Sequence, residues 1–98
     1  MPSKRFSRDR ATCKVTFTLP ATVGAATAQL CGDFNDWNPD SEPMKRAKDG
    51  SFKLVMTLPA QHTYRYRFLL DGARWENDWD ADRYEPNEFG EDDSVLEL

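Results

Sequence analysis

The most regular feature of the chain is a series of short segments in which apolar and polar residues alternate. A period of two is typical of strands that bury one face. The alternation predicts strands at residues 13–19, 28–34, 52–58, 64–70 and 95–98. Asp49-Gly50 and Asp71-Gly72 predict tight turns beside two of them, because glycine takes a positive φ without steric cost. No segment has a helical period, so we predict one all-β domain built as an antiparallel β-sandwich.

The phase of the alternation also predicts which side chains face outward. In the fourth segment Tyr66 and Phe68 are predicted to face the core, which turns Arg65, Arg67 and Leu69 outward. The same reasoning places the two cysteines on opposite sides of their strands. Cys13 is predicted to point inward and Cys31 outward, which argues against a disulfide between them.

Two segments do not alternate, and they hold the tryptophans. Residues 35–43 form a predicted polar loop around Trp37, and residues 73–93 form a predicted irregular acidic stretch. The large aromatic residues of that stretch are Trp75, Trp79, Tyr84 and Phe89. Aromatic residues in loops either close the end of a core or form a binding surface. An indole can stack on the apolar face of a sugar while planar polar groups bond its hydroxyls. The pattern alone leaves both roles open for the tryptophans, and it favours Arg67 as a solvated strand arginine paired with a nearby acid over a donor to sugar hydroxyls.

Charge and length limit the function classes. The chain has 98 residues and a net charge of -4; its first 14 residues are basic, and its acidic residues are concentrated toward the C-terminus. We expect residues 1–11 to be a disordered basic tail and residues 12–98 to be the domain. The acidic balance argues against nucleic acid as a partner. No apolar run reaches the roughly 20 residues of a membrane span, and no signal peptide is apparent, so we expect no membrane partner and a cytoplasmic location.

Metal and catalytic sites find little support in the sequence. His62 and the cysteines lack the spacing of a zinc site, and residues 78–82 only begin like a calcium loop. Arg83 and Phe89 then stand where that loop needs glycine and glutamate. Glycoside hydrolysis needs two carboxylates about 5–9.5 Å apart, and no pair stands out. We therefore expect no cofactor, no metal and no enzymatic activity.

Several motifs together resemble carbohydrate-binding module family 48. They are Gly32-Asp-Phe-Asn-Asp-Trp37, Tyr66-Arg-Phe-Leu-Leu-Asp-Gly72, Trp75-Glu-Asn-Asp78 and the closing residues 90–98. This family comprises the glycogen-binding, early-set immunoglobulin-like domains of isoamylases, glycogen branching enzymes and the β-subunit of AMP-activated protein kinase. The resemblance covers residues 13–98 and implies a stand-alone domain. It implies non-catalytic binding of α-1,4-glucan such as glycogen, starch or maltooligosaccharide.

The resemblance also implies a role for particular residues. Trp37 and Trp75 match the two stacking tryptophans, and Arg67 matches a basic strand residue that bonds sugar hydroxyls. In the loop before the last strand, Phe89 matches an apolar contact, while Glu91 and Asp93 replace a small polar residue and an asparagine. Trp79 has no counterpart. Because many family members pack on a catalytic domain, docking on a glucan-metabolising enzyme is the alternative function.

Overall fold

A computed structural model describes residues 2–40 and 43–98. Within these residues the chain forms strands that assemble into two antiparallel sheets. Sheet A has the order β1-β2-β5-β4, and sheet B has the order β3-β6-β9-β8 with β7 also paired to β6. The strands are β1 Ser3–Phe6, β2 Thr12–Leu19, β3 Ala28–Gly32, β4 Lys45–Arg46, β5 Phe52–Pro59, β6 Thr63–Leu70, β7 Arg74–Glu76, β8 Arg83–Pro86 and β9 Asp92–Glu97.

The sandwich follows from the alternation seen in the sequence. β2 and β5 pair along their full lengths, and β6 pairs with β3, β7 and β9. Each long strand turns every second side chain inward, so the two sheets bury their apolar faces against each other. The core includes Val15, Phe17, Leu19, Leu30, Phe52, Tyr66, Phe68, Leu70 and Leu96. The predicted all-β antiparallel sandwich is confirmed, and no helix of the described residues is long and apolar enough to cross a membrane.

The basic N-terminal segment, for which a disordered tail was expected, includes a short strand. Residues 3–6 form β1, which pairs with β2 from Ser3↔Thr16 to Phe6↔Cys13. Phe6 packs against the core, and Lys4 Nζ lies 2.6 Å from Asp82 Oδ2. A partly buried ring and an ion pair thus attach this short basic segment to the sandwich. Met1 lies outside the described residues.

The acidic stretch 73–93 is more regular than predicted. It contains the short strands β7 and β8, which pair with β6 and β9 and lack a clear alternation. Its middle is fixed by buried polar contacts. Tyr66 donates a hydrogen bond of 2.7 Å to Asp78, whose backbone N–H donates to Ser94. Burial and the neighbouring Asp78 raise the pKa of Tyr66 well above its ordinary value.

The outward direction predicted for Cys31 agrees with the structure. Cys31 does face away from the core, but it is fully buried because the loop after β3 covers it. Its thiol donates to the backbone oxygen of Asn38 across 3.5 Å, and burial raises the pKa of the thiol. Both cysteines are free thiols. Ser41 and Glu42, at the end of the predicted loop 35–43, lie outside the described residues.

Candidate functional site

A groove lies on the outer face of sheet B, the face turned away from the core. It has a volume of about 680 Å³ and is bounded by the loop after β3 and the loop between β8 and β9. The groove brings together all six residues that the sequence singled out for sugar binding. Its lining is Trp37, Arg65, Arg67, Trp75, Pro86, Asn87, Glu88, Phe89, Glu91 and Asp93.

Trp37 reaches the groove through a tight turn that begins at Gly32. A 3₁₀ helix, Asp33–Asn35, follows β3 directly, and the Trp37 N–H donates to the Gly32 oxygen at 2.9 Å. Asn35 locks the turn from inside, since its amide nitrogen donates to the Leu30 oxygen and its amide oxygen accepts from the Gly32 N–H. A Cβ at Gly32 would lie 2.5 Å from the Arg65 oxygen, so only glycine fits there.

The backbone at Trp37 is held in an uncommon conformation. Asp36 and Trp37 have φ values of 57° and 58°, the left-handed region that bulky side chains avoid. Asp33 stabilises this arrangement with both carboxylate oxygens. One accepts from the indole Nε1 at 3.1 Å, and the other accepts from the Arg65 N–H at 2.8 Å. The indole is therefore fixed in orientation over the groove.

Trp75 and Arg67 form the adjacent part of the groove. Trp75 lies on β7 opposite Leu69, and 41% of its surface is exposed. Its ring centroid is 6.5 Å from that of Trp37, and the two ring planes are inclined by 58°. The Arg67 guanidinium carbon lies 5.9 Å from the Trp75 centroid, within the range of a cation–π contact. Two tilted indoles and a guanidinium thus share one surface.

Asp93 and Arg65 line the groove beside its two indoles and Arg67. Asp93 is only 6% exposed, and its oxygens accept from Arg65 at 3.4 Å and from Asn87 at 3.2 Å. Arg65 also donates to Glu85 at 2.6 Å and to the Pro86 oxygen at 3.3 Å. The structure thus brings Asp93 to the groove as expected, but both of its oxygens already have protein donors.

The loop between β8 and β9 carries Phe89 and Glu91 to the rim. Asn87 organises it, because its side-chain oxygen accepts from the N–H groups of Phe89 and Glu91. Gly90, with a φ of 79°, closes the turn. Phe89 then stands 81% exposed at the tip, while Glu91 reaches inward to pair with Arg67 at 2.9 Å.

Trp79 does not join this groove. Its indole is 57% exposed and donates to Glu76 Oε1 at 3.2 Å. It is therefore not a cap on the core, and it lies outside the groove lining. Among the described residues, no group of three or more His, Cys, Asp or Glu side chains is placed to hold a metal ion.

Sequence reasoning missed three residues that shape the groove: Asp33, Arg65 and Asn87. Asp33 stands inside the Gly32–Trp37 motif, but its bond to the indole depends on the left-handed turn that follows. Arg65 was predicted to face outward, and its phase with Arg67 was the signal that it shares the same surface. Asn87 offered only the general preference of Asn for turns, three residues before Gly90.

A comparison with protein-family models found a match over most of the chain. The family model for carbohydrate-binding module 48, the isoamylase N-terminal domain, matches residues 7–86. A comparison with curated protein sequences found no match. The family match includes Trp37, Arg67 and Trp75, and it supports a carbohydrate-binding module without catalytic function. On this match and this fold, the chain belongs to the carbohydrate-binding module 48 family.

Proposed function

We propose that the groove on sheet B binds α-1,4-glucan, such as glycogen, starch or maltooligosaccharide, without catalysing its cleavage. The observation that carries the proposal is the pair of tilted indoles of Trp37 and Trp75, whose centroids are 6.5 Å apart. An α-1,4-linked chain curves, so successive glucose rings present their apolar faces at an angle. Two inclined platforms suit such a chain better than a flat, cellulose-like one.

Polar groups around the indoles suit the edges of the sugar rings. Arg67 carries guanidinium donors beside Trp75, although Glu91 is paired with it, and the Asp93 carboxylate oxygens can accept a further hydrogen bond besides those from Arg65 and Asn87. Phe89 at the loop tip adds an apolar contact. Each aromatic contact contributes about 0.5–1.5 kcal/mol beyond its buried area. A few such contacts predict weak binding, with a Kd on the order of 10 μM to 1 mM.

Alanine substitution of the groove tryptophans tests the proposal. We expect Trp37→Ala and Trp75→Ala each to weaken maltoheptaose binding by about tenfold or more in calorimetry, and to reduce co-sedimentation with glycogen. Trp79→Ala is the matched control, because Trp79 is exposed but lies outside the groove. Unchanged binding by the Trp37 and Trp75 variants would refute the site.

One observation favours the alternative function, docking on a glucan-metabolising enzyme. Phe89 is 81% exposed at a loop tip, the kind of aromatic anchor that proteins bury at an interface. A folded wild-type protein that neither sediments with glycogen nor binds maltoheptaose would favour docking over glucan binding. Release of sugar from glycogen by the pure domain would instead revive a hydrolase.

A further inference from the structure

Arg67 is more restrained than a sugar-binding arginine needs to be. Its side chain is only 15% exposed, and its terminal Nη2 lies 2.9 Å from Glu91 Oε2. The guanidinium also lies beside the Trp75 ring. Its charged end is therefore turned toward protein groups on two sides, and little of it remains open to the groove.

This position leaves one donor of Arg67 unsatisfied. Nε of Arg67 is buried and has no hydrogen-bond partner, the one such side-chain atom in residues 2–40 and 43–98. A buried donor without an acceptor is disfavoured, because the N–H has lost its water and gained nothing in exchange. An arginine left to itself would move until Nε found water or an acceptor. The pairing with Glu91 and the contact with the Trp75 ring both oppose that movement.

Of the two arginines that line the groove, Glu91 pairs with Arg67 and not with Arg65. Arg65 is paired with Glu85 and Asp93, not with Glu91. Glu88 is exposed on the same rim and has no ion pair with a described residue. Glu91 itself is exposed and belongs to the hairpin loop that Asn87 organises, so its side chain can leave Arg67 without disturbing the sheet.

We propose that Glu91 acts as a latch on Arg67, meaning that its carboxylate pairs with the guanidinium when no glucan is bound and that this pairing lowers the affinity for glucan. This inference rests on the proposed function. A glucan that takes hydrogen bonds from Arg67 must first displace the Glu91 carboxylate, so part of the interaction is spent on breaking the ion pair. Removing or screening the charge of Glu91 then frees Arg67 and tightens binding.

Glu91→Gln tests the latch, because glutamine keeps the size of glutamate and removes its charge. We expect maltoheptaose affinity in calorimetry to rise about three- to fivefold, the range for release of a partly exposed ion pair. The matched control is Glu88→Gln, which removes the same charge from the same rim without touching Arg67. It should change affinity by less than half as much.

Salt provides a second measurement. Raising sodium chloride from about 20 mM to about 500 mM screens the pair, so wild-type affinity should rise while the affinity of Glu91→Gln stays nearly constant. Equal or weaker binding by Glu91→Gln would overturn the latch alone and make Glu91 a positioning residue for Arg67. No binding by either protein at either salt concentration would overturn the proposed function, and the latch with it.

Discussion

The outer faces of the two sheets differ in whether their basic side chains are paired with carboxylates. Sheet A presents Arg5, Lys14, Lys45 and Lys53 among threonines, all exposed, and none of the four forms a salt bridge with a described residue. Sheet B presents Arg65 and Arg67, and both are paired with carboxylates. The first face is an ordinary solvated sheet surface. The second is an organised network under two loops.

Burial separates the two faces in the same way. On β2 and β5 of sheet A, outward residues are exposed or partly exposed, as the alternation predicts. On sheet B the outward residues Cys31, Leu69 and Val95 are buried although they lie outside the core cluster. A side chain on the outer face of a sheet is buried only where other residues cover it, and on sheet B the covering segments also form the groove. Outward residues that are nevertheless buried are thus a signature of the face that carries the site.

The largest expected effect on stability is at Gly32, where the turn that covers the outer face of sheet B approaches β6 most closely. In Gly32→Ala the new Cβ would lie 2.5 Å from the Arg65 oxygen and 2.9 Å from Phe34 and Tyr66. Two of these contacts are backbone or core atoms, which cannot easily move. We expect the free energy of unfolding to fall by about 3 kcal/mol in chemical denaturation.

Gly24→Ala provides the comparison, since Gly24 follows the short 3₁₀ helix after β2. Gly24 has a φ of 67°, but no atom lies within 4 Å of an added Cβ. Its cost is limited to backbone strain of about 1 kcal/mol. If the two substitutions cost the same, the close approach of the turn to β6 is not what holds Gly32 in place.

Arg65 tests whether the paired charges of sheet B matter more than the unpaired charges of sheet A. Arg65→Gln removes the ion pairs to Glu85 and Asp93, and it leaves the Asp93 carboxylate buried with Asn87 as its remaining side-chain donor. We expect a loss of about 2 kcal/mol of stability in denaturant unfolding.

Lys14→Gln is the matched substitution on sheet A, where the lysine is exposed. Its stability should stay within about 0.5 kcal/mol of the wild-type value. A similar small effect at both positions would mean that the network on sheet B is no more than a set of solvated charges.

The sequence pattern predicted the alternating strands, but it did not predict all of the segments that cover the outer face of sheet B. Period two identified β2, β5 and β6 because each is long and buries one face. It missed β1, whose place depends on the Phe6 ring and the bond from Lys4 to Asp82, a residue far along the chain. Local patterns carry no information about such distant contacts.

The residues of the groove also divide into those that the local sequence predicts and those that depend on distant contacts. Trp37, Trp75 and Arg67 came from motif and phase, and the structure places them together. The alternation predicted the direction of Cys31 but not its burial, because alternation reports the face of a strand and not what lies above it. The pairing of Arg67 with Glu91 was also beyond reach, since it depends on how the loop between β8 and β9 folds back.

Phe89 gives the smallest expected effect on stability and the finest test of the comparison. It is 81% exposed, so Phe89→Ala should change the free energy of unfolding by less than about 0.5 kcal/mol. The same substitution should weaken maltoheptaose binding about three- to tenfold, because one aromatic contact is lost. Val55→Ala on the outer face of sheet A is the matched control. It removes an exposed hydrophobic side chain on β5, so it should lower stability by about 0.5 kcal/mol and leave binding unchanged. If Phe89→Ala destabilised the fold and spared binding, the loop tip would belong to the packing of sheet B and not to the groove.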